Sequence, residues 1–167
     1  MKIYTIKYQQ FLPIDIEQAW TFFSTPKNLE KITPAWLNFK ICSVLPDEMY
    51  AGMIALYHVH PVAGIPISWT TEITHMQHPN FFVDEQRFGP YRFWHHQHHF
   101  IEVAGGVEMT DIVDYALSFG VVGRCFHSCY IKRKLEAIFS FRRLALIRYF
   151  GSTADEGSKP WQKKPSC

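Results

Sequence analysis

Residues 2–12, KIYTIKYQQFL, alternate apolar and polar positions with a period of two, the repeat of a strand that buries one face. Pro13 ends the run, and the period changes. In DIEQAWTFFS the apolar residues Ile16, Ala19, Trp20 and Phe23 fall on one helical face. Asp15 is placed to cap this helix, with Gln18 at the third position, a capping-box arrangement. TPKNLEKI predicts a second short helix, with Thr25 as cap and Pro26 at the first helical position, stopped by Pro34.

Six strand-like runs come next: FKICSVL, MIALYHVH, PISWTTEITHM, FFVDEQRF, YRFWHHQHHFIEV and VEMTDIVDYAL. The segments between them (PDEMYAG, PVAGI, QHPN, GP and AGG) are short and rich in turn residues, which favours consecutive antiparallel hairpins. Beyond Gly120 the spacing changes again. One stripe recurs at three and four through Val122, Phe126, Cys129, Tyr130, Arg133, Ala137, Phe141, Leu144 and Arg148, and a second runs through Leu135, Ile138 and Phe139. From Val122 to Phe150 this predicts one amphipathic helix of roughly 28 residues, ~42 Å long. No internal repeat is present.

The expected fold class is therefore α+β: a seven-stranded curved antiparallel sheet around a long C-terminal helix, with two short helices after the first strand. A meander of this kind must bury one face, and only the last helix is long enough to cover it. A sheet curled around that helix, plugged at one end by the short helices, leaves a tapering cavity.

Composition narrows the function classes. With 167 residues the chain is read as a single domain over residues 1–150, then a polar tail, 151–167, expected to be disordered. Hydrophobic residues make up 47% and aromatics 16%, a load that suits either a tightly filled core or a large apolar cavity. The net charge of +2 provides no strong field toward nucleic acid or anionic lipid, although transient contact with a membrane surface through the basic helix residues stays open. Of the basic residues, Lys132, Arg133, Lys134, Arg142, Arg143 and Arg148 are read as a solvated helix face. Four scattered cysteines (Cys42, Cys125, Cys129, Cys167) set up neither a disulfide framework nor a zinc motif. The N-terminus has no apolar signal core and no stretch reaches membrane-spanning length, so a cytoplasmic location is expected.

The run FFVDEQRFGPYRFWHHQHHFIEVAGGVEMTDIVDYALSFGVVG, with IFSFR later in the last helix, resembles the SRPBCC/START-like superfamily. Within it, the likeness is to small bacterial proteins of ligand-binding, polyketide-cyclase-like or lipid-transport character. The matching positions are Asp84 and Gln86, the Gly89-Pro90-Tyr91 turn, Trp94, His96, His98 and Phe100, the Gly105-Gly106 pair, Met109, Asp111, Val113 and Tyr115, then Gly120 and Gly123. Ser118 departs from the pattern, where a proline is usual, and His95 and His99 stand outside it. The resemblance covers nearly the whole chain up to Gly151. It implies a helix-grip fold with an apolar pocket and no single reaction, since such folds carry binders, carriers and a few enzymes.

FWHHQHHF, residues 93–100, holds four histidines in eight residues. On a strand they separate: Trp94, His96, His98 and Phe100 share one face, while Phe93, His95, Gln97, His99 and Ile101 share the other. With a two-residue hairpin at AGG and a three-residue loop at GPY, Asp111 and Asp84, Gln86 and Phe88 join the His96/His98 face. A four-histidine metal site on this strand is therefore not expected, because alternate faces cannot share one ion.

Three readings of the inner set compete. It is a self-satisfied buried polar ladder, an anchor for the polar head of an apolar ligand, or a catalytic or metal-binding group. In the last case His96 and His98 are the acid–base candidates, with Asp84 and Asp111 as partners. No metal-ligand spacing is diagnostic, and no metal or cofactor is expected.

The leading functional expectation is binding or transport of a hydrophobic small molecule between sheet and helix. The alternative is a polyketide cyclase/dehydratase-like enzyme in the same pocket. The expected wall comprises Trp69, Phe82, Gln86, Phe88, Trp94, His96, His98, Phe100, Met109, Asp111, Tyr115, Phe126, Tyr130 and Phe141. Trp36 is a further aromatic that could line it.

Overall fold

A computed structural model describes residues 2–62, 64–118 and 130–151. Its chain order is β1 (Tyr4–Leu12), α1 (Ile16–Phe23), two 3₁₀ segments (Pro26–Ile32 and Ala35–Leu37), and six further strands. These are β2 (Lys40–Ile41), β3 (Ile54–Val62), β4 (Ile65–Gln77), β5 (Phe81–Phe88), β6 (Phe93–Val103) and β7 (Gly106–Ala116). The C-terminal helix α2 runs over Lys132–Phe150. All strands form one sheet in the order β1-β7-β6-β5-β4-β3-β2, antiparallel throughout. The meander is closed on one side by β1, which returns to pair with β7. This is the α+β arrangement the alternation of residues implies.

The local signals act as expected at α1. Asp15 accepts a hydrogen bond from the Gln18 amide at 2.7 Å, and the Gln18 side chain accepts from the Asp15 amide at 3.3 Å. Two orphan donors at the helix start are thereby satisfied. Thr25 does otherwise: its hydroxyl donates to the Thr21 carbonyl at 2.7 Å instead of capping Pro26–Ile32, and that segment is 3₁₀ rather than α. FKICSVL yields only the two-residue strand β2. After it, the Cys42 amide still reaches the Leu56 carbonyl, but the Leu56 amide turns to the Ser43 hydroxyl, so a side chain replaces the ladder.

The hairpin between β6 and β7 has the two-residue loop that fixes the register, with Val103 opposite Gly106. Gly105 takes φ +83° in that loop, and Gly106 is confined by contact: a Cβ there would lie 2.2 Å from the Leu12 carbonyl oxygen. Only glycine fits both demands.

Helix α2 corrects the reading of its own stripes. Of the first expected stripe, Arg133, Ala137, Leu144 and Arg148 are exposed, while Tyr130 and Phe141 are half-buried. The face toward the sheet is the second stripe, extended to Leu135, Phe139, Arg142, Ala145 and Leu146, all buried. The first stripe carries Arg133 and Arg148, and those positions are cheaper to leave in water. Residues 119–129, which include the expected start of the helix, Phe126, Cys125 and Cys129, and the tail 152–167 lie outside the described residues.

Aromatic packing closes one end of the concave sheet. Trp20 and Phe23 of α1 lie over Phe100 at ring distances of 6.4 and 5.1 Å, and Leu12, Phe82, Val107, Met109 and Leu146 complete that cluster. Along β1 and β7 the helix sits directly on the sheet, with Tyr8 stacked on Phe139 at 4.3 Å and Tyr115, Trp94 and Leu135 beside them. Toward β3, β4 and β5 it lifts away.

Candidate functional site

The gap left there is a cavity of about 530 Å³. Its floor is the inner face of β3–β6, where Tyr57, Val59, Ile67, Trp69, Phe82 and Trp94 project. Its roof is α2 with Leu135, Ile138, Phe139 and Arg142. The 3₁₀ segments contribute Leu29, Ile32, Trp36 and Leu37, and Phe22, Phe23, Phe39 and Met49 complete the wall. Cavities of ~300–1,000 Å³ lined this way are the usual size of small-molecule sites.

On the floor stands a tetrad. Strand pairing sets Asp84 opposite His96 and His98 opposite Asp111, so two carboxylate–imidazole pairs lie in adjacent rows on one face. His96 places Nε2 3.1 Å from Asp111 Oδ1 and Nδ1 3.2 Å from Asp84 Oδ2. His98 places Nε2 2.9 Å from the same Asp84 oxygen and Nδ1 2.9 Å from the same Asp111 oxygen. The last contact is electrostatic only, its geometry falling outside that of a hydrogen bond. The two imidazole rings are 3.8 Å apart, and His98 stacks on Phe82 at 4.1 Å.

Charge holds this ring together. Burial alone would push both carboxyls up, but the neighbouring His96 and His98 outweigh it and hold Asp84 and Asp111 well below the usual carboxylate range. Burial would lower His96, yet Asp84 and Asp111 outweigh it and raise the imidazole above 6.5. Each carboxylate touches both imidazoles, so the raised His96 faces two carboxylate oxygens.

Asp84, His96 and His98 also bring one ligand atom each within 4.8 Å of the others, a spacing compatible with a metal ion. Every one of those nitrogens already faces a carboxylate oxygen, so an ion would have to displace protons from the ring.

The structure brings some of the sequence-derived wall to the cavity and leaves the rest elsewhere. Trp69, Phe82, Trp94, His96, His98 and Tyr130 border the cavity, as do Asp84 and Trp36. Other expected wall residues do not. Phe100, Met109 and Tyr115 face inward but are sealed beneath α1 and α2, and Phe141 packs against the same core. Asp111 is buried behind the histidines.

Phe88 is 75% exposed. The β4–β5 register slips there, Gln86 opposing Thr71 and Phe88 opposing Thr70, so a bulge at Arg87 turns Phe88 to the outer face. Gln86 instead clamps the turn, its amide donating to the Tyr91 carbonyl at 2.6 Å and accepting from the Tyr91 amide at 3.2 Å. Phe126 lies outside the described residues.

His95 and His99 are on the other face as expected, but half-buried: His95 lies 2.7 Å from Glu85 and His99 3.1 Å from Gln97.

The largest omission is Arg142, taken for a solvated residue and in fact buried at the cavity roof. Its signal was available: it lies three and seven residues beyond Phe139 and Leu135, on the buried stripe. The inner residues of β3 were equally readable, since Ala55, Tyr57 and Val59 continue an alternation begun at Met53 just before the strand.

Sheet, grip helix and cavity together define a helix-grip protein. Among solved structures the chain is similar to protein Ms6760 from Mycobacterium smegmatis, with 14% identity over 89% of this chain and 98% of that one and a TM-score of 0.61. It is also similar to CV1439 from Chromobacterium violaceum (12%, 89% and 99%, TM-score 0.64). A third is the major latex-like protein 151 from Panax ginseng (12%, 89% and 97%, TM-score 0.65). At such identities the likeness establishes the fold and nothing narrower. No protein-family model matches the chain, and no curated protein matches it. Among the described residues no helix is long and apolar enough to cross a membrane.

Proposed function

We propose that the protein binds a hydrophobic small molecule, of the lipid, isoprenoid-quinone or polyketide-like aromatic kind, in the cavity between β3–β6 and α2. The observation that supports this is the cavity itself: about 530 Å³ walled almost wholly by aromatic and aliphatic side chains. Enclosing an apolar body there removes its surface from water at ~25 cal/mol per Å². The cyclase/dehydratase reading needs a histidine or carboxylate free to exchange a proton with a substrate. All four ring nitrogens lie within 3.2 Å of carboxylate oxygens, which weighs against that use.

The test is titration of the purified, delipidated chain with the neutral fluorophore N-phenyl-1-naphthylamine. Saturable binding near one equivalent is expected, and Ile67→Trp, which fills the floor, should weaken it at least about tenfold, ~1.4 kcal/mol. Absence of saturable binding, or binding indifferent to the filled floor, would overturn the reading. Native mass spectrometry of protein from its own host would then identify a co-purifying ligand.

A further inference from the structure

We infer that the cavity selects an amphiphile with a single oxyanion head, of the carboxylate kind, and that Arg142 is the residue that receives it. The inference deepens the proposed function and rests on it. Arg142 is 9% exposed and lines the cavity roof. Its Nε is buried without a hydrogen-bond partner. The guanidinium carbon lies 5.1 Å from the Phe139 ring centroid, a cation–π contact that holds the side chain against the roof. Among the described residues no carboxylate comes within ion-pair distance of it. The two inward carboxylates, Asp84 and Asp111, are engaged by His96 and His98.

A guanidinium does not shed its proton in a protein, so burial cannot neutralise it. An unpaired buried charge is among the costliest features a fold can carry. A solvated position for an arginine is available six residues on, at Arg148 of the same helix. The arginine at position 142 instead sits on the buried stripe between Phe139 and Ala145. A planar guanidinium whose buried Nε–H has no partner, in the roof of a largely apolar chamber, complements a carboxylate and gives little to a neutral head. The lining also includes Lys134, about 12 Å away along the helix, whose ammonium sits 4.2 Å over the Trp36 ring. The tetrad is the opposite case, two carboxylates already matched by two imidazoles, and it offers an anionic ligand no competing free charge.

The experiment uses the full delipidated chain and two probes of equal chain length, dodecanoate and dodecanol, each displacing N-phenyl-1-naphthylamine at neutral pH. Wild type is expected to bind dodecanoate about tenfold or more tighter than dodecanol, the ratio a charge-assisted hydrogen bond supplies. Arg142→Met should abolish that preference, Arg142→Lys should keep part of it, and Arg148→Met, an equal change of charge on the exposed face, should keep all of it.

The ligand-free melting temperature should hold or rise in Arg142→Met, since an unpaired buried cation is removed; a fall of several degrees would assign Arg142 to the fold and overturn the inference. Equal affinities in wild type, or a preference that survives Arg142→Met, would overturn it as well. Should Arg142→Met fail to fold, the wild-type ratio and the Arg142→Lys ratio still decide. If neither the fluorophore nor dodecanol binds, the proposed function itself fails and this inference with it, whereas dodecanol binding without carboxylate preference sinks the inference alone.

Discussion

The tetrad ties stability to pH in a direction opposite to that of most buried carboxylates taken alone. The perturbation is a change of pH from 6.5 to 8.5. His96 is raised in the fold above its ordinary 6.5 by Asp84 and Asp111, which outweigh its burial. A base raised on folding contributes stability that is complete below 6.5 and is lost as pH climbs through the folded value. Asp84 and Asp111 are depressed from 3.8 and act conversely, losing their contribution only as pH falls below that figure. Together these three predict no loss between about pH 4 and 6.5, where the lowered His99 adds a rise toward 6.5, and a decline on the alkaline side.

His99 is lowered by its burial, with His98 and Lys7 adding to it. Above 6.5 it is therefore neutral in both folded and unfolded chains and gives no slope. The alkaline decline should approach one proton, about 1.4 kcal/mol per pH unit, until the folded pKa of His96 is passed. With urea m-values of ~1–3 kcal/mol/M, the unfolding midpoint should drop by about 0.5–1 M per unit. Urea titrations monitored by circular dichroism at half-unit steps would measure it. Asp111→Asn supplies the internal control: it should cost about 3–5 kcal/mol at pH 6, where it strands a buried imidazolium, and should flatten the alkaline slope. A midpoint that is level or rises from pH 6.5 to 8.5 in wild type would refute the charged-ring account.

Two further outcomes separate the parts of the molecule. Phe100→Ala removes a side chain with no exposure from the cluster under α1, so it should cost about 3–5 kcal/mol in urea unfolding while shifting N-phenyl-1-naphthylamine affinity less than about twofold; a large loss of probe binding would place Phe100 in the cavity after all. Millimolar zinc at pH 6 should leave the melting temperature unchanged, because Asp84, His96 and His98 would have to surrender protons to bind it; a saturable rise at one equivalent would make those three residues a metal centre.

How far the sequence discloses this structure depends on which interaction decides each feature. Alternation in β5–β7 disclosed the inner set because a two-residue hairpin at Ala104-Gly105 and the turn at Gly89-Pro90-Tyr91 fix parity, and parity assigns every side chain to a face. The same argument failed at Phe88, since one extra residue at Arg87 reverses the faces and nothing in RFGP marks the bulge. It failed differently at Phe100 and Met109. They face inward as parity requires, but α1 lies on them, and the docking of a helix on one end of a sheet is a tertiary choice that no local period records. Helix α2 offered two stripes, and the choice between them turned on arginines. Arg133 and Arg148 drove the first stripe to water, whereas Arg142 keeps to the buried stripe against its own preference.

That exception bears on what the cavity is for. His96, His98, Asp84 and Asp111 are polar residues in an apolar wall, yet each answers another, so the ring stays intact whether the cavity is full or empty. A core can keep such a group for specificity of register alone, since a one-residue slip of β6 would carry both histidines to the outer face and leave two carboxylates buried without partners. Arg142 has no such closure among the described residues. A buried charge with no partner carboxylate among the described residues loses stability at that position, and on the inference above a bound carboxylate offsets that loss. By that criterion the tetrad belongs to the scaffold and Arg142 to the ligand, which is the reverse of the division that a run of four histidines first suggests.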